Sequence, residues 1–257
     1  FEEASFDESA YARTIAREFG VDHHERVLNL ESASDLIPRV LGKLDEPFND
    51  ASIIPTFLLS SFAKEEVTVA LSGDGADELL AGYDPFIALG RSGLYSSVVP
   101  APLHSMLRKM VNRLPISDRN MGLDFKLKKT LSGLSYPKSL WNPIWMSPVD
   151  PIELPDLFGN EVKIENLYEE VIQLWDESAP GAGMLEKSLE FFTHFYLQED
   201  ILFKSDRASM MNSLESRAVF LDNDLADFCR RLPSRFKLRG TTRKYLLKRA
   251  MTGVLPD

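Results

Sequence analysis

One cysteine, Cys229, stands in 257 residues. A single cysteine excludes an internal disulfide framework and a cysteine-based zinc cluster. It fits a reducing compartment, and a cytoplasmic protein is expected on that ground. No run of apolar residues is long enough to span a bilayer, and no signal-peptide pattern is visible. Positive charge is in deficit: 29 Lys and Arg against 39 Asp and Glu leave a net charge of -10 and a pI of about 5.0. That balance weighs against nucleic acid or an anionic membrane as the main partner. Internal repeats and low-complexity segments are also lacking. What remains is an ordinary globular composition, 44% hydrophobic and 26% charged, in a chain long enough to bury a core. The length predicts one large domain or a domain with a sizeable insert. The chain starts at Phe1 rather than Met, so a piece of a longer protein is expected.

The first stretch alternates helix and strand. Ser5 with Glu8 makes a capping-box signal, Tyr11, Ile15 and Phe19 follow at helical spacing, and Gly20 is a natural stop. His24 to Leu30 predicts a strand. Leu36, Ile37, Val40, Leu41 and Leu44 form a helical apolar face, and Pro55 suits the first turn of a helix running to about Ala63. Val67 to Leu71, short and β-branched, suits a strand buried on both faces. Such alternation implies an α/β fold, a parallel sheet with helices packed around it. The character changes near Arg91: nine of the 15 prolines lie between Pro100 and Pro180, which predicts a largely helical, irregular insert. Three parts are therefore expected: an α/β part over 1–90, an insert over 91–184, and a helical part over 185–257. In the last, Leu185, Leu189, Phe192 and Tyr196 share a helical face; one helix follows Asp222 and ends before Pro233, and another runs from Thr241 or Thr242 to about Met251.

In an open parallel sheet, ligands collect at the carboxyl ends of strands. Ser72 to Glu78 occupies such an end. Gly73 and Gly75 let the backbone turn and approach a ligand closely, and the following helix presents free N–H groups. Asp74, Asp77 and Glu78 crowd the same turn. Two readings fit: an acidic cap that serves the helix dipole, or a carboxylate, Asp77, that holds Mg²⁺ bridging phosphate oxygens.

The longer string SGDGADELLAGY, Ser72 to Tyr83, resembles a signature of the asparagine synthetase family, in its ATP-using domain. DEPFNDASIIPT (Asp45 to Thr56) and FDESAYARTIAREFGVDHHE (Phe6 to Glu25) resemble segments upstream of it. LQEDILFKSDRASMMNSLESRAVFLD (Leu197 to Asp222) and LPSRFKLRGTTRKYLLKRAM (Leu232 to Met251) resemble two blocks downstream, in family order. The resemblance implies an ATP pyrophosphatase of the adenine-nucleotide α-hydrolase type. Its substrates would be ATP with Mg²⁺, aspartate, and ammonia released from glutamine by a separate N-terminal glutaminase domain. The aspartate side chain is adenylated with release of pyrophosphate, and ammonia then displaces AMP. A homodimer of the longer protein is left open.

Carried over by position, Ser72 and Gly73 match the nucleotide-contacting start of the loop, Gly75 its second glycine, and Tyr83 its closing tyrosine. Asp77 matches the Mg²⁺–pyrophosphate carboxylate. Asp74 matches a position near the acyl-adenylate that is Glu in some members, so it is one methylene shorter here. Lys244 matches the lysine of a K-Y-x-L string that stabilises charge on the reacting intermediate, and it also counts toward pyrophosphate. Lys204 and Arg207 match a K-x-D-R string that meets pyrophosphate; Asp206 beside them is an alternative partner for both. Lys244 has a physical argument too. With Arg243 it falls in the expected first helical turn, where cations oppose the dipole, and a broken local rule points to an anion site. A solvated basic face is the plainer reading, since nine Lys or Arg lie between Arg230 and Arg249.

Other candidates read more simply. Adjacent His23 and His24 cannot share a helix face as metal ligands and are expected to be structural. Asp45, Glu46 and Asp50 form an acidic loop that either caps a helix or lies beside an amine or ammonia. Phe191, Phe192, Phe195 and Tyr196 read as core, and Cys229 as a small buried hydrophobe. Two departures stand against the family pattern. Its SGG-x-DS phosphate loop lies upstream of the segment matched by Phe6 to Glu25, and AVFLD (Ala218 to Asp222) replaces VPFLD. Three readings follow: part of an aspartate-amidating ligase, a fragment that keeps the fold without turnover, or a β-lactam-synthetase-like enzyme acting on another carboxylate.

Overall fold

The computed structural model describes residues 7–27, 30–115, 117 and 122–256. The elements in chain order are α1 (Ser9–Phe19), α2 (Leu30–Leu41), α3 (Ile53–Lys64), β1 (Val69–Ser72), α4 (Ala76–Leu80), α5 (Asp84–Val98), α6 (Ala101–Asn112), α7 (Leu123–Gly133), α8 (Trp141–Met146), α9 (Leu154–Phe158), α10 (Ile164–Leu167), α11 (Glu169–Glu177) and α12 (Met184–Phe191). A π-helical segment, Phe192–Leu202, leads into α13 (Phe203–Met210), followed by β2 (Glu215–Ala218), a 3-10 turn at Val219–Leu221, α14 (Asn223–Arg231), α15 (Ser234–Lys237) and α16 (Tyr245–Ala250). The chain divides into two compact units: Phe1–Leu80 with His194–Leu232 and Lys244–Asp257, and Ala81–Thr193 with Pro233–Arg243. Among the described residues no helix is long and apolar enough to cross a membrane.

The first unit is α-rich with a small parallel sheet. Its β1 pairs with β2 in the register Val69↔Glu215 to Ser72↔Ala218. The core beneath joins Val40 of α2, Ile53, Ile54 and Phe57 of α3 and Ala208 of α13, with Leu36, Leu44, Phe48 and Met211 packed against it. The Asn212 amide donates to the carbonyls of Phe57 and Ala208, which stitches the end of α13 to α3. A second cluster holds Leu79, Leu80 and Cys229, so the cysteine is a buried hydrophobe as expected. Asp222 caps α14, accepting from the N–H groups of Asp224 and Leu225.

The fold also departs from the sequence reading. Of the strand expected over His24 to Leu30, His24–Val27 is irregular and exposed, Leu28 and Asn29 lie outside the described residues, and Leu30 already opens α2. A strand exists only where its hydrogen bonds are answered, and β1 and β2 are the sheet's two strands among the described residues. Ser5 of the expected capping box lies outside them too, and Glu8 precedes α1 without a side-chain cap. The burial of β1 on both faces is not found: Val69 is 39% and Leu71 73% exposed. The helical face running from Leu185 to Tyr196 is interrupted, because the winding changes from α to π at Phe192. The last helix starts at Tyr245, not Thr241. Arg239 and Thr242 exchange two backbone hydrogen bonds around Gly240 (φ 63), and this tight turn takes up the residues ahead of it.

The second unit is helical. Leu89, Trp141 and Trp145 form its centre, with Ala88, Leu134 and Met184 against them. Tyr83 stacks on Phe86 and Phe192, and Phe191 and Phe192 are buried as read. A polar knot ties α6 and α7 to the following turn: the Asp150 carboxylate accepts from Arg108, Ser132, Tyr136 and the Ile152 N–H. Burial, and then the bond to Asp150, push the Tyr136 phenol up to about 12.

Two substitutions test these packings separately. Trp141, Trp145 and Trp175 all lie in the second unit, so tryptophan fluorescence follows that unit alone. Asp150→Ala strands Arg108 and two hydroxyls and is expected to destabilise that unit by about 3 kcal/mol, seen as a lower urea midpoint by fluorescence. Gly75 has φ 90, and a Cβ there would meet Leu221 Cδ2 at 2.3 Å. Gly75→Ala is therefore expected to cost the first unit about 2–4 kcal/mol, seen in the far-ultraviolet melt.

Candidate functional site

Ser72 ends β1, and its backbone position is fixed by pairing with Ala218. From there the chain turns through Gly73, Asp74 and Gly75 into α4. Gly75 alone needs its glycine for conformation; Gly73 has an ordinary φ and open space where a side chain would stand. The helix after the turn is short, the five residues Ala76–Leu80, and Ala81 follows it in a left-handed conformation (φ 57). Its dipole is correspondingly small, so the side chains of the turn, more than the helix end, carry its chemistry. Glu78 is buried, 1% exposed, whereas Asp74 and Asp77 are half-buried.

Three candidate cations in the first unit each face a carboxylate. Lys244 Nζ lies 2.9 Å from Asp77 Oδ2. Its backbone N–H also donates to the Leu80 carbonyl, so Lys244 is joined to both ends of α4. Lys244 does not lie in a helical first turn, as its sequence context suggested: it caps α16 from the left-handed region, φ 50. Such a conformation is unfavourable for a residue with a Cβ and collects at functional sites. Arg243 belongs to the second unit, where it pairs with Asp84 at 2.6 Å. Lys204 Nζ lies 2.6 Å from Asp50 Oδ2, and Arg207 lies 2.7 Å from Asp45 Oδ2. The partners of Lys204 and Arg207 thus come from the acidic loop before α3, not from Asp206. The Lys204 pair is the more buried, with side chains 12% and 22% exposed, against 41% and 74% for the Arg207 pair. Solvent therefore screens the second far more than the first.

Asp50 also accepts from the Ser52 N–H and hydroxyl, and with Lys204 these donors hold its carboxyl below the usual range against the opposing effect of burial. Asp200 behaves oppositely. Burial first, then the Asp50 charge, push it up to about 6, with Lys204 opposing. Its Oδ1 is buried without a hydrogen-bond partner. Burial likewise raises the Tyr196 phenol, and the charges of Asp200, Asp50, Glu78 and Asp77 add to it. Sequence reasoning missed Asp200 and placed Tyr196 in the core. The available signal was spacing, since Asp200 stands four residues before Lys204.

Asp74 Oδ2 accepts from two hydroxyls, Ser72 Oγ at 3.0 Å and Ser205 Oγ at 2.9 Å. Asp74, Asp77, Lys204, Arg207 and Lys244 belong to one unit and arrive from three separated stretches of chain. Tyr83 belongs to the other unit. His23 and His24 are exposed, and His24 pairs only with its neighbour Asp22 in the geometry described. No group of three His, Cys, Asp or Glu among the described residues could hold a metal ion by itself. A Mg²⁺ carried by phosphates needs only one or two protein carboxylates. The half-buried Asp77, an oxygen donor next to a lysine, fits that requirement.

A family model described as asparagine synthase matches residues 1–257. The glutamine-hydrolyzing asparagine synthetase 1 of Bacillus subtilis strain 168 is 28% identical, the match covering 100% of this chain and 39% of that protein. A putative glutamine-hydrolyzing asparagine synthetase of Mycobacterium tuberculosis H37Rv is 32% identical, covering 100% and 38%. The amidase chyE of Penicillium rubens is 24% identical, covering 100% and 40%. The chain spans about two-fifths of the length of these relatives.

The acid pair has a pH signature. Folded, Asp200 keeps its proton up to about pH 6; unfolded, it loses it near its ordinary value of 3.8. Between those values the native state binds the extra proton, so this group makes stability fall as pH rises, and the loss is complete above pH 6. Asp50, held below its ordinary value, acts the other way, and its contribution is lost as pH falls below about 4. Asp200→Asn removes the first effect and keeps the Asp50 carboxylate. Melting temperatures measured from pH 4 to 7.5 are expected to rise above wild type at the high end and to lose the downward slope.

Proposed function

The chain belongs to the asparagine synthase family, and we propose that it is part of the ATP-using half of an enzyme that amidates aspartate to asparagine. In this reading the fold is of the adenine-nucleotide α-hydrolase type. The aspartate β-carboxylate oxygen attacks the α-phosphorus of ATP and pyrophosphate leaves. Ammonia, released from glutamine by a glutaminase domain, then attacks the acyl carbon, and AMP leaves as the amide forms.

The supporting observation is the meeting of Asp77 and Lys244 at 2.9 Å, with the Lys244 N–H on the Leu80 carbonyl. Carboxylate and lysine from stretches far apart in sequence stand at one place, beside the end of β1. Asp77 would hold Mg²⁺, which supplies neutralisation of charge on phosphate oxygens when bound. Ser72 and Gly73 present backbone and hydroxyl at the strand end, with no side chain on Gly73 to bar a close approach. Lys244 stabilises negative charge that grows on the departing phosphate oxygens, an effect that is large where donors are positioned beforehand. Lys204 and Arg207 supply further positive charge for pyrophosphate. Asp50 holds the sheltered Lys204 and keeps it from isolated burial until an anion competes for it, and Asp45 pairs with the more exposed Arg207. Asp74 would face the acyl-adenylate.

A second reading, amide formation on a different carboxylate, draws on the fungal relatives named amidases. ATP–pyrophosphate exchange by the full-length protein separates the two. Exchange stimulated by aspartate supports the first; exchange only with another carboxylic acid supports the second; no exchange with any acid sinks both. Lys244→Met is expected to lower the exchange rate about 10²- to 10³-fold, the loss typical of one positioned charge-stabilising donor. Arg249→Ala, on the basic stretch but outside the site, is expected to leave it unchanged.

A further inference from the structure

We infer that Ser205 is a positioning residue that, with Ser72, aims the Asp74 carboxylate at the reacting group. The inference rests on the proposed role of the turn, and adds to it a residue that no motif singles out.

Asp74 is a short acid on a loop. A free aspartate side chain turns about two bonds, and a carboxylate that must face a reacting group has to be held. Ser205 Oγ and Ser72 Oγ both donate to the same oxygen, Oδ2, at 2.9 and 3.0 Å. Two donors on one oxygen fix the rotation of the carboxylate and leave the acceptor capacity of Oδ1 for another group. The two hydroxyls differ in origin. Ser72 is two residues from Asp74 and moves with the loop, whereas Ser205 stands 131 positions away and references the loop to the body of the first unit.

That reference point is rigid. Ser205 lies in α13, between Lys204 and Arg207, which pair with Asp50 and Asp45. Three residues on, Ala208 is fully buried in the core with Phe57 and Ile53. A hydroxyl on such an element holds its position better than one on a loop.

The test measures ATP–pyrophosphate exchange with aspartate in the full-length protein, resolved into kcat and KM for ATP, for wild type, Ser205→Ala, Ser205→Thr, Asp74→Asn and the double variant Asp74→Asn/Ser205→Ala. The inference expects Ser205→Ala to lower kcat about tenfold or more, the loss for a hydrogen bond to a charged group, with KM for ATP within twofold of wild type. Ser205→Thr, which keeps the hydroxyl, is expected to restore most of the rate. Ser205→Ala is expected to add nothing once Asp74→Asn is present, because a residue acting only through Asp74 is silent without it. A purely structural serine would instead lower both single and double variants alike, and this overturns the inference. Loss of activity in Asp74→Asn with Ser205→Ala at wild-type rate overturns the inference and leaves the function standing. Absence of exchange in wild type, or full activity of Asp74→Asn, overturns the proposed role of the turn and the inference with it.

Discussion

The first unit depends on the parallel pairing of β1 with β2. Parallel strands cannot be joined by a tight turn, and here the chain between them leaves the first unit, builds most of the second and returns. That one ladder puts Ser72 beside Ala218 and so brings Leu221 against Gly75. The turn that carries Asp74 and Asp77 is thus closed from outside by a residue more than a hundred positions away. The left-handed Gly75 and the leucine above it are two halves of one constraint. A side chain at either the wrong angle or the wrong size would lift the turn from the strand end.

Electrostatics then organises what the ladder has gathered. Lys204, Arg207 and Lys244 each face a carboxylate. The pairs differ in what they can contribute. The Arg207–Asp45 pair is open to water and adds little stability, while the Lys204–Asp50 pair is sheltered and backed by Ser52. Beside it stands Asp200, a carboxyl whose buried oxygen lacks a hydrogen-bond partner and which favours its proton first because of burial and then because Asp50 already holds a charge. Each of the three cations is thus matched by one acid of the same unit.

Several features were legible in the residue order because they are local. Gly20 ends α1 in the left-handed region, Asp222 caps α14, the proline-rich stretch is helical and irregular, and Cys229 is buried. The turn from Ser72 to Glu78 was legible as a glycine turn between strand and helix, although its residues alone fit an acidic helix cap as well as a phosphate-handling loop. The strand β2 was not, since Glu215 and Arg217 are charged and exposed and only their partner makes them a strand. The region around His24 failed for the converse reason: its pattern suits a strand, yet among the described residues no neighbour answers it. The start of α16 was misplaced because a two-bond turn around Gly240 competes with helix over Thr241 and Thr242. The switch to π winding at Phe192 leaves no mark in hydrophobic spacing.

By itself the sequence determined several of the helices, the glycine turn, the acids and cations and the family they mark. These are properties of residue type and short spacing, and they survive any rearrangement of the rest. The tertiary structure decided which cation meets which acid, that Lys244 adopts a left-handed backbone rather than a helical one, and that Ser205 reaches Asp74. Hydrogen bonds and ion pairs act over about 3 Å, and residues 131 or 154 positions apart come within that distance only after the chain has folded.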